Sequence, residues 1–185
     1  MKRISIAMLM VFVIFGSSAL AFAKSGEAMT SKAFEIDGSF GWATGPGDFD
    51  AGYGLNFGLG YTLGQVDKNL QLRFDLSYYD FSRDVFFESL DYKRVPFTVS
   101  ARYYFPIVER LAAFAQAGIE TSYDSRDEFD VFGNKHTNHE VNLGVTPGGG
   151  VEFFINDSAS IFAVARWHLI TDSYFSMLFG GAYHF

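Results

Sequence analysis

The feature that most constrains this chain is a period of two. From residue 53 to 63 every odd position is large and apolar (Tyr53, Leu55, Phe57, Leu59, Tyr61, Leu63), and the residues between are Gly54, Asn56, Gly58, Gly60 and Thr62. Successive side chains of a strand point to opposite faces, so this run is a strand with one bulky apolar face and one slim face. Seven further segments alternate in the same way. Phe34, Ile36, Phe40 and Trp42 oppose Glu35, Asp37 and Ser39; Leu70, Leu72, Phe74, Leu76 and Tyr78 oppose Gln71, Arg73, Asp75 and Ser77. Val95, Phe97, Val99, Ala101 and Tyr103 oppose Arg94, Thr98, Ser100 and Arg102, and segments at 111–120, 140–153, 160–169 and 175–185 complete the set. The segment at 111–120 has the weakest pattern, because its apolar face is mostly alanine. Pro96 and Pro147 each remove a ladder donor and predict a bulge or an irregular strand end there.

The connections alternate too. Those at 64–69, 106–110 and 155–158 are short, those at 43–51, 82–91 and 124–138 are long, and only the tight Thr171-Asp172 connection breaks the rule. Aromatic residues make up 18% of the chain, yet nothing after Ala23 is apolar for long enough to cross a membrane as a helix. The interior of an eight-stranded barrel holds only side chains, so the bulkier face must lie outside. Here that face is apolar, which in water would be one very large exposed patch and in lipid needs no explanation. Hydrocarbon also tolerates no open sheet edge. The predicted fold is therefore all-β, an eight-stranded antiparallel up-and-down transmembrane β-barrel. Directing each strand in turn gathers Trp42, Tyr53, Tyr78, Tyr123, Trp167 and Phe175 at one rim and Phe34, Tyr61, Tyr103, Phe105, Phe153, Tyr183 and Phe185 at the other.

Residues 1–23 are expected to be a cleaved signal peptide, with Lys2 and Arg3 before the apolar run 4–15 and Ala21-Phe22-Ala23 as the cleavage site. Residues 24–185 then form one barrel domain, and losing Lys2 and Arg3 takes the formal net charge from −7 to −9. So acidic a chain lacks the basic patch that a nucleic-acid partner requires. With no cysteine, it has neither a disulfide framework nor a thiolate metal site.

The pattern resembles the small outer-membrane barrels of the OmpA transmembrane-domain and OmpX kind over essentially all of the mature chain. Its most specific mark is the end, Leu178 to Phe185, where Gly180, Tyr183 and the terminal Phe185 match the signal read by the barrel-assembly machinery and Leu178 departs from its polar first position. The resemblance implies export through the periplasm to the cell outer membrane, with short periplasmic turns and longer extracellular loops. It also implies lipid, lipopolysaccharide and the assembly machinery as partners. A closed barrel needs no second copy, so a monomer is expected.

The slim face carries Glu35, Asp37, Arg73, Asp75, Arg94, Arg102, Glu120, Glu140, Glu152, Arg166 and His168. Buried charges are costly unless paired, so acids and arginines are expected to form an ion-pair network in the lumen; a narrow ion path is the alternative. His168 is the one weak catalytic candidate, because lipid A deacylases of the PagL type are also eight-stranded barrels. Their pattern places Ser two residues after His, where this chain has Ile170, and no acid is evidently set to orient His168. No catalytic residue, cofactor or metal site is expected otherwise; the carboxylate-rich loop at 124–139 lacks the spacing of a calcium loop. Two long loops carry apolar clusters, Phe86 and Phe87 in one and Phe129, Val131 and Phe132 in the other, which mark candidate contact points. Their strands are expected to run on as hairpins above the membrane. The expected role is a non-enzymatic envelope or surface-contact protein acting through loops 82–91 and 124–138.

Overall fold

The computed structural model describes residues 32–47, 49–85, 88–129 and 135–185, the side chains of 84, 85, 88, 89, 128, 129 and 135 excepted. The expected signal peptide and Phe86, Phe87, Val131 and Phe132 lie outside the described residues, as does the side chain of Phe129.

Eight strands follow one another around a closed antiparallel barrel: β1 (Phe34–Ala43), β2 (Gly52–Thr62), β3 (Leu70–Val85), β4 (Glu88–Val108), β5 (Leu111–Phe129), β6 (Lys135–Asn156), β7 (Ala159–His168) and β8 (Tyr174–His184). Closure is between β1 and β8, with Phe40 opposite Phe179 and Glu35 opposite His184. Every strand keeps its predicted parity within the barrel wall. Glu35, Asp37, Arg73, Asp75, Arg102, Glu152 and Arg166 are buried inside, while Phe40, Leu55, Phe57 and Phe179 are exposed outside. Rings meet at both rims: Trp42 and Trp167 each contact Phe175 at one end, and Phe34 contacts Tyr61 and Phe185 at the other.

The slim face of β2 has a direct physical cause. A Cβ added to Gly54 would lie 2.4 Å from the Tyr79 ring, one on Gly58 would lie 2.3 Å from the Arg73 guanidinium, and one on Gly60 would lie 2.5 Å from the Gln71 amide. The long inner side chains of β3 lie across β2, and only glycine leaves them room. Phe114 over Gly150 and Phe162 over Gly180 repeat the device on the other side of the barrel.

Three expectations for the outer half meet the structure here. The strands do run on as hairpins and take up most of the stretches 82–91 and 124–138 named as loops, since β3 continues to Val85, β4 starts at Glu88, β5 continues to Phe129 and β6 starts at Lys135. Above the lipid a strand no longer needs an apolar face, so the alternation fades while backbone pairing goes on. The irregularities expected at Pro96 and Pro147 are there as gaps in pairing, while the register shifts fall between Pro106 and Val108 and between Phe154 and Asn156. Pro96 keeps its register against Ser122, and β3–β4 pairing lapses beside it between Leu76–Phe97 and Tyr79–Arg94. At Pro147, β6 parts from β7, whose ladder ends at Gly148–Arg166 apart from a single bridge between Val145 and Leu169. Third, Glu140 keeps the inward parity but is exposed, since the wall around it has already opened.

The parting of β6 from β7 shapes the top of the molecule. The extended parts of β3, β4, β5 and β6 form a protruding sheet. Its β3 edge is covered by the β1–β2 connection, where Asp50 N–H donates to Ser82 O at 3.0 Å and Phe49 packs on Tyr92. Above Gly144 the β6 edge pairs only with β5. The short β7–β8 connection, the one exception in length, folds inward over the lumen. Ile170 is buried, Asp172 takes a left-handed backbone (φ 55°), and Arg94 donates to the carbonyls of Thr171 (3.0 Å) and Asp172 (3.3 Å).

Candidate functional site: a filled lumen beneath a protruding sheet

The inward side chains stack in three layers between the protruding-sheet end and the short-turn end. The uppermost is aromatic. Tyr79, Phe81, Tyr92 and Tyr174 pack ring on ring, and the Arg94 guanidinium lies 5.0 Å from the Tyr174 ring centre. Arg94 is held by Asp124, with Nε to Oδ1 at 2.9 Å and Nη2 to Oδ2 at 2.6 Å, and Tyr92 OH donates to the same carboxylate at 2.8 Å. Two-pronged contact of this kind is the strong form of an arginine–carboxylate pair. Burial pushes the Tyr92 phenol up from its ordinary range against the pull of Arg94, and Asp124 adds to the rise. Glu140 lines a hollow of about 40 Å³ beside this layer with Asp124, Arg126 and Asp172.

The middle layer contains the arrangement that sequence reasoning missed. His168 Nδ1 lies 2.5 Å from Glu120 Oε2, and His168 Nε2 lies 2.9 Å from Ser176 Oγ. An acid, a histidine and a serine are thus in line, as in a hydrolase triad. The expectation that no acid orients His168 is corrected. Its surroundings are those of a packed interior, however. Ser176 is 0% exposed and accepts from Tyr79 OH at 3.2 Å, the His168 ring stacks on Tyr174 at 4.0 Å, and Thr146 donates to Glu120 at 2.7 Å. Glu120 lies on the inner face of β5, on a different strand from His168 and Ser176, and a contact across the lumen depends on barrel shear, which periodicity does not reveal.

The lowest layer joins most of the sequence-predicted charges. Arg73 binds Glu35 (2.5 Å), Asp75 (3.0 Å) and Asp37, and Arg166 binds Asp75 at 3.2 Å. Arg102 sits between Glu35 (3.7 Å) and Glu152 (3.8 Å), with its guanidinium 4.1 Å from the Phe114 ring centre. Arg94 and Glu120 stand apart from this network, in the two layers above. His184, buried on the inner face of β8, sits at its foot.

Several solved barrels share this architecture. Neisserial surface protein A is 18% identical, with a TM-score of 0.61 over 82% of this chain and 96% of that one. The outer membrane protein OprG from Pseudomonas aeruginosa is 12% identical, with a TM-score of 0.62 over 86% and 99%. The outer membrane enzyme PagL is 16% identical, with a TM-score of 0.50 over 82% and 99%. At such identities the likeness establishes the fold alone. No curated protein matches the sequence. Residues 7–179 match the outer membrane protein beta-barrel domain. Taken with the closed eight-stranded barrel and its apolar outer face, that match over nearly the whole length identifies the chain as a member of the outer membrane protein beta-barrel family, located in the cell outer membrane.

Proposed function

We propose that this protein is a non-enzymatic surface-contact barrel, exported by a signal peptide at residues 1–23 and presenting its protruding sheet to the cell exterior. The short turns, the start of β1 and the end of β8 then face the periplasm. The observation that carries the reading is the β6 edge: residues 136–143 pair on one side only, and Val141 and Leu143 there are 75% and 74% exposed. An unpaired edge flanked by apolar side chains is a template for β-addition by another chain. The filled lumen supports the same reading against a narrow channel, because buried ion pairs and rings leave its described side chains little space. Gly180, Tyr183 and Phe185 are proposed to guide assembly.

The test compares cells carrying the wild-type barrel with cells carrying His139→Pro together with Leu143→Pro, which remove N–H donors on the side of β6 that faces away from β5, the side on which Val145 N–H donates to Leu169 O. Attachment to protein-coated surfaces is expected to fall severalfold at an unchanged level of compact, heat-modifiable barrel. Equal attachment at equal barrel levels would sink the proposal.

The middle layer favours one rival, a hydrolase acting on lipid A. Its histidine and serine face the lumen rather than the lipid, and Ser176 is walled in by Tyr79 and Tyr174. Lipid A mass spectra with and without the protein are therefore expected to coincide, and a fluorophosphonate probe is expected to leave Ser176 unlabelled in the folded barrel. A lipid A species that depends on the protein and vanishes with Ser176→Ala would establish the enzyme instead.

A further inference from the structure

We infer that the periplasmic foot of the lumen is a binding site for a single transition-metal dication of the zinc type, held by Glu35, Glu152 and His184. One donor atom from each of these side chains lies within 4.8 Å of the other two, and all three residues are buried. They come from β1, β6 and β8, so the barrel itself brings them together.

The arrangement of the two carboxylates is specific. Arg102 faces one oxygen of each, Glu35 Oε1 and Glu152 Oε2, and Tyr104 OH donates to Glu152 Oε2 at 2.8 Å. The other two oxygens face the imidazole, with Glu35 Oε2 at 3.7 Å from Nδ1 and Glu152 Oε1 at 3.3 Å from Nε2. Ser160 Oγ lies 3.0 Å from Nε2 and adds a neutral oxygen. The inner oxygens accept from Gln71 (to Glu35 Oε2, 2.7 Å) and Ser160 (to Glu152 Oε1, 2.5 Å), so two carboxylates, an imidazole and a hydroxyl converge with supporting hydrogen bonds around them. An ion on Nε2 would share it with Glu152 Oε1, and Glu35 Oε2, which faces Nδ1, would turn toward that ion from within 4.8 Å; a mixed N/O set suits zinc.

In this layer the four carboxylates of Glu35, Asp37, Asp75 and Glu152 meet the three guanidiniums of Arg73, Arg102 and Arg166 and the imidazole of His184, and Lys32 adds a cation at the foot, where its Nζ donates to the His184 carbonyl at 3.3 Å. His184 lies at the short-turn end of β8, opposite Glu35, so in the proposed orientation the site lies at the periplasmic side.

The test uses the full barrel purified in detergent and stripped with a chelator. Calorimetric titration with Zn2+ is expected to give one ion per barrel, and the ion should raise the temperature at which the compact electrophoretic band is lost. His184→Gln and Glu152→Gln should each weaken binding at least about tenfold, as removal of a ligand does at protein metal sites. The double variant His136→Gln/His139→Gln removes the surface histidines and should bind as the wild type does. Should the Gln variants fail to fold, Cu2+ bound to that double variant must still show a coordinated imidazole nitrogen by pulsed EPR. Absence of Zn2+ uptake by the wild type, including stability that responds to pH alone, would overturn the site. So would binding that disappears with His136 and His139.

Discussion

Arg73→Ala is expected to cost the barrel roughly 3–5 kcal/mol, the range for breaking a buried ion pair by removing one partner. The guanidinium binds Glu35, Asp37 and Asp75 at once, and none of the four side chains is appreciably exposed. Removing it leaves these three carboxylates with Arg102 and Arg166 as their remaining cations. The measurement is urea unfolding of the barrel in phospholipid vesicles, read by the mobility difference between unboiled and boiled samples. The triple variant Arg73→Met/Glu35→Gln/Asp37→Asn should recover much of the loss, because it removes the stranded charges as well as the cation. A barrel that keeps its stability after Arg73→Ala would mean that the lumen is wet enough to solvate carboxylates.

The second large effect concerns depth in the membrane. Phe57 is 51% exposed on the outer face, midway between the aromatic rims, opposite Gly38 and Leu76 in the ladder. Phe57→Arg should destabilise by about 2–4 kcal/mol, the cost of a cation on the lipid face at the bilayer midplane. Leu143→Arg, on a more exposed side chain, should cost only about 0–1 kcal/mol, as near the interface, if the β6 edge stands clear of the hydrocarbon. Both are read from the same unfolding titration. Similar costs at the two positions would put Leu143 within the lipid and remove the basis for a contact surface there.

How far the sequence alone led can be judged from particular strands. The parity of β2 and β8, with Tyr53 to Tyr61 and Phe175 to Phe185 outside, was legible because hydrocarbon outside and polar packing inside impose opposite demands on neighbouring residues. That β3 to β6 run on as hairpins was expected, but not how far, because water on both faces makes no such demand while the backbone goes on pairing. The charges of the lowest layer were legible as inward residues, but not which acid meets which arginine: Glu35 and Asp37 meet Arg73 from two strands away. The Glu120–His168–Ser176 line was missed for the same reason, compounded by the search for a serine next to the histidine in sequence. Ser176 comes from the neighbouring strand, two residues beyond Tyr174, the ladder partner of His168.

The glycines of β2 have a consequence for how such a chain can change over generations. Gly54 and Gly58 are vacant because Tyr79 and Arg73 of the next strand fill the space above them. Neither strand can therefore drift independently. A bulkier residue on β2 would first require a shorter one on β3, and the reverse exchange would carry the large side chain to the other strand. Homologues of this barrel should accordingly distribute interior volume between adjacent strands in compensating pairs, so that strand identity in the family is kept less by any one residue than by which of two neighbours yields space.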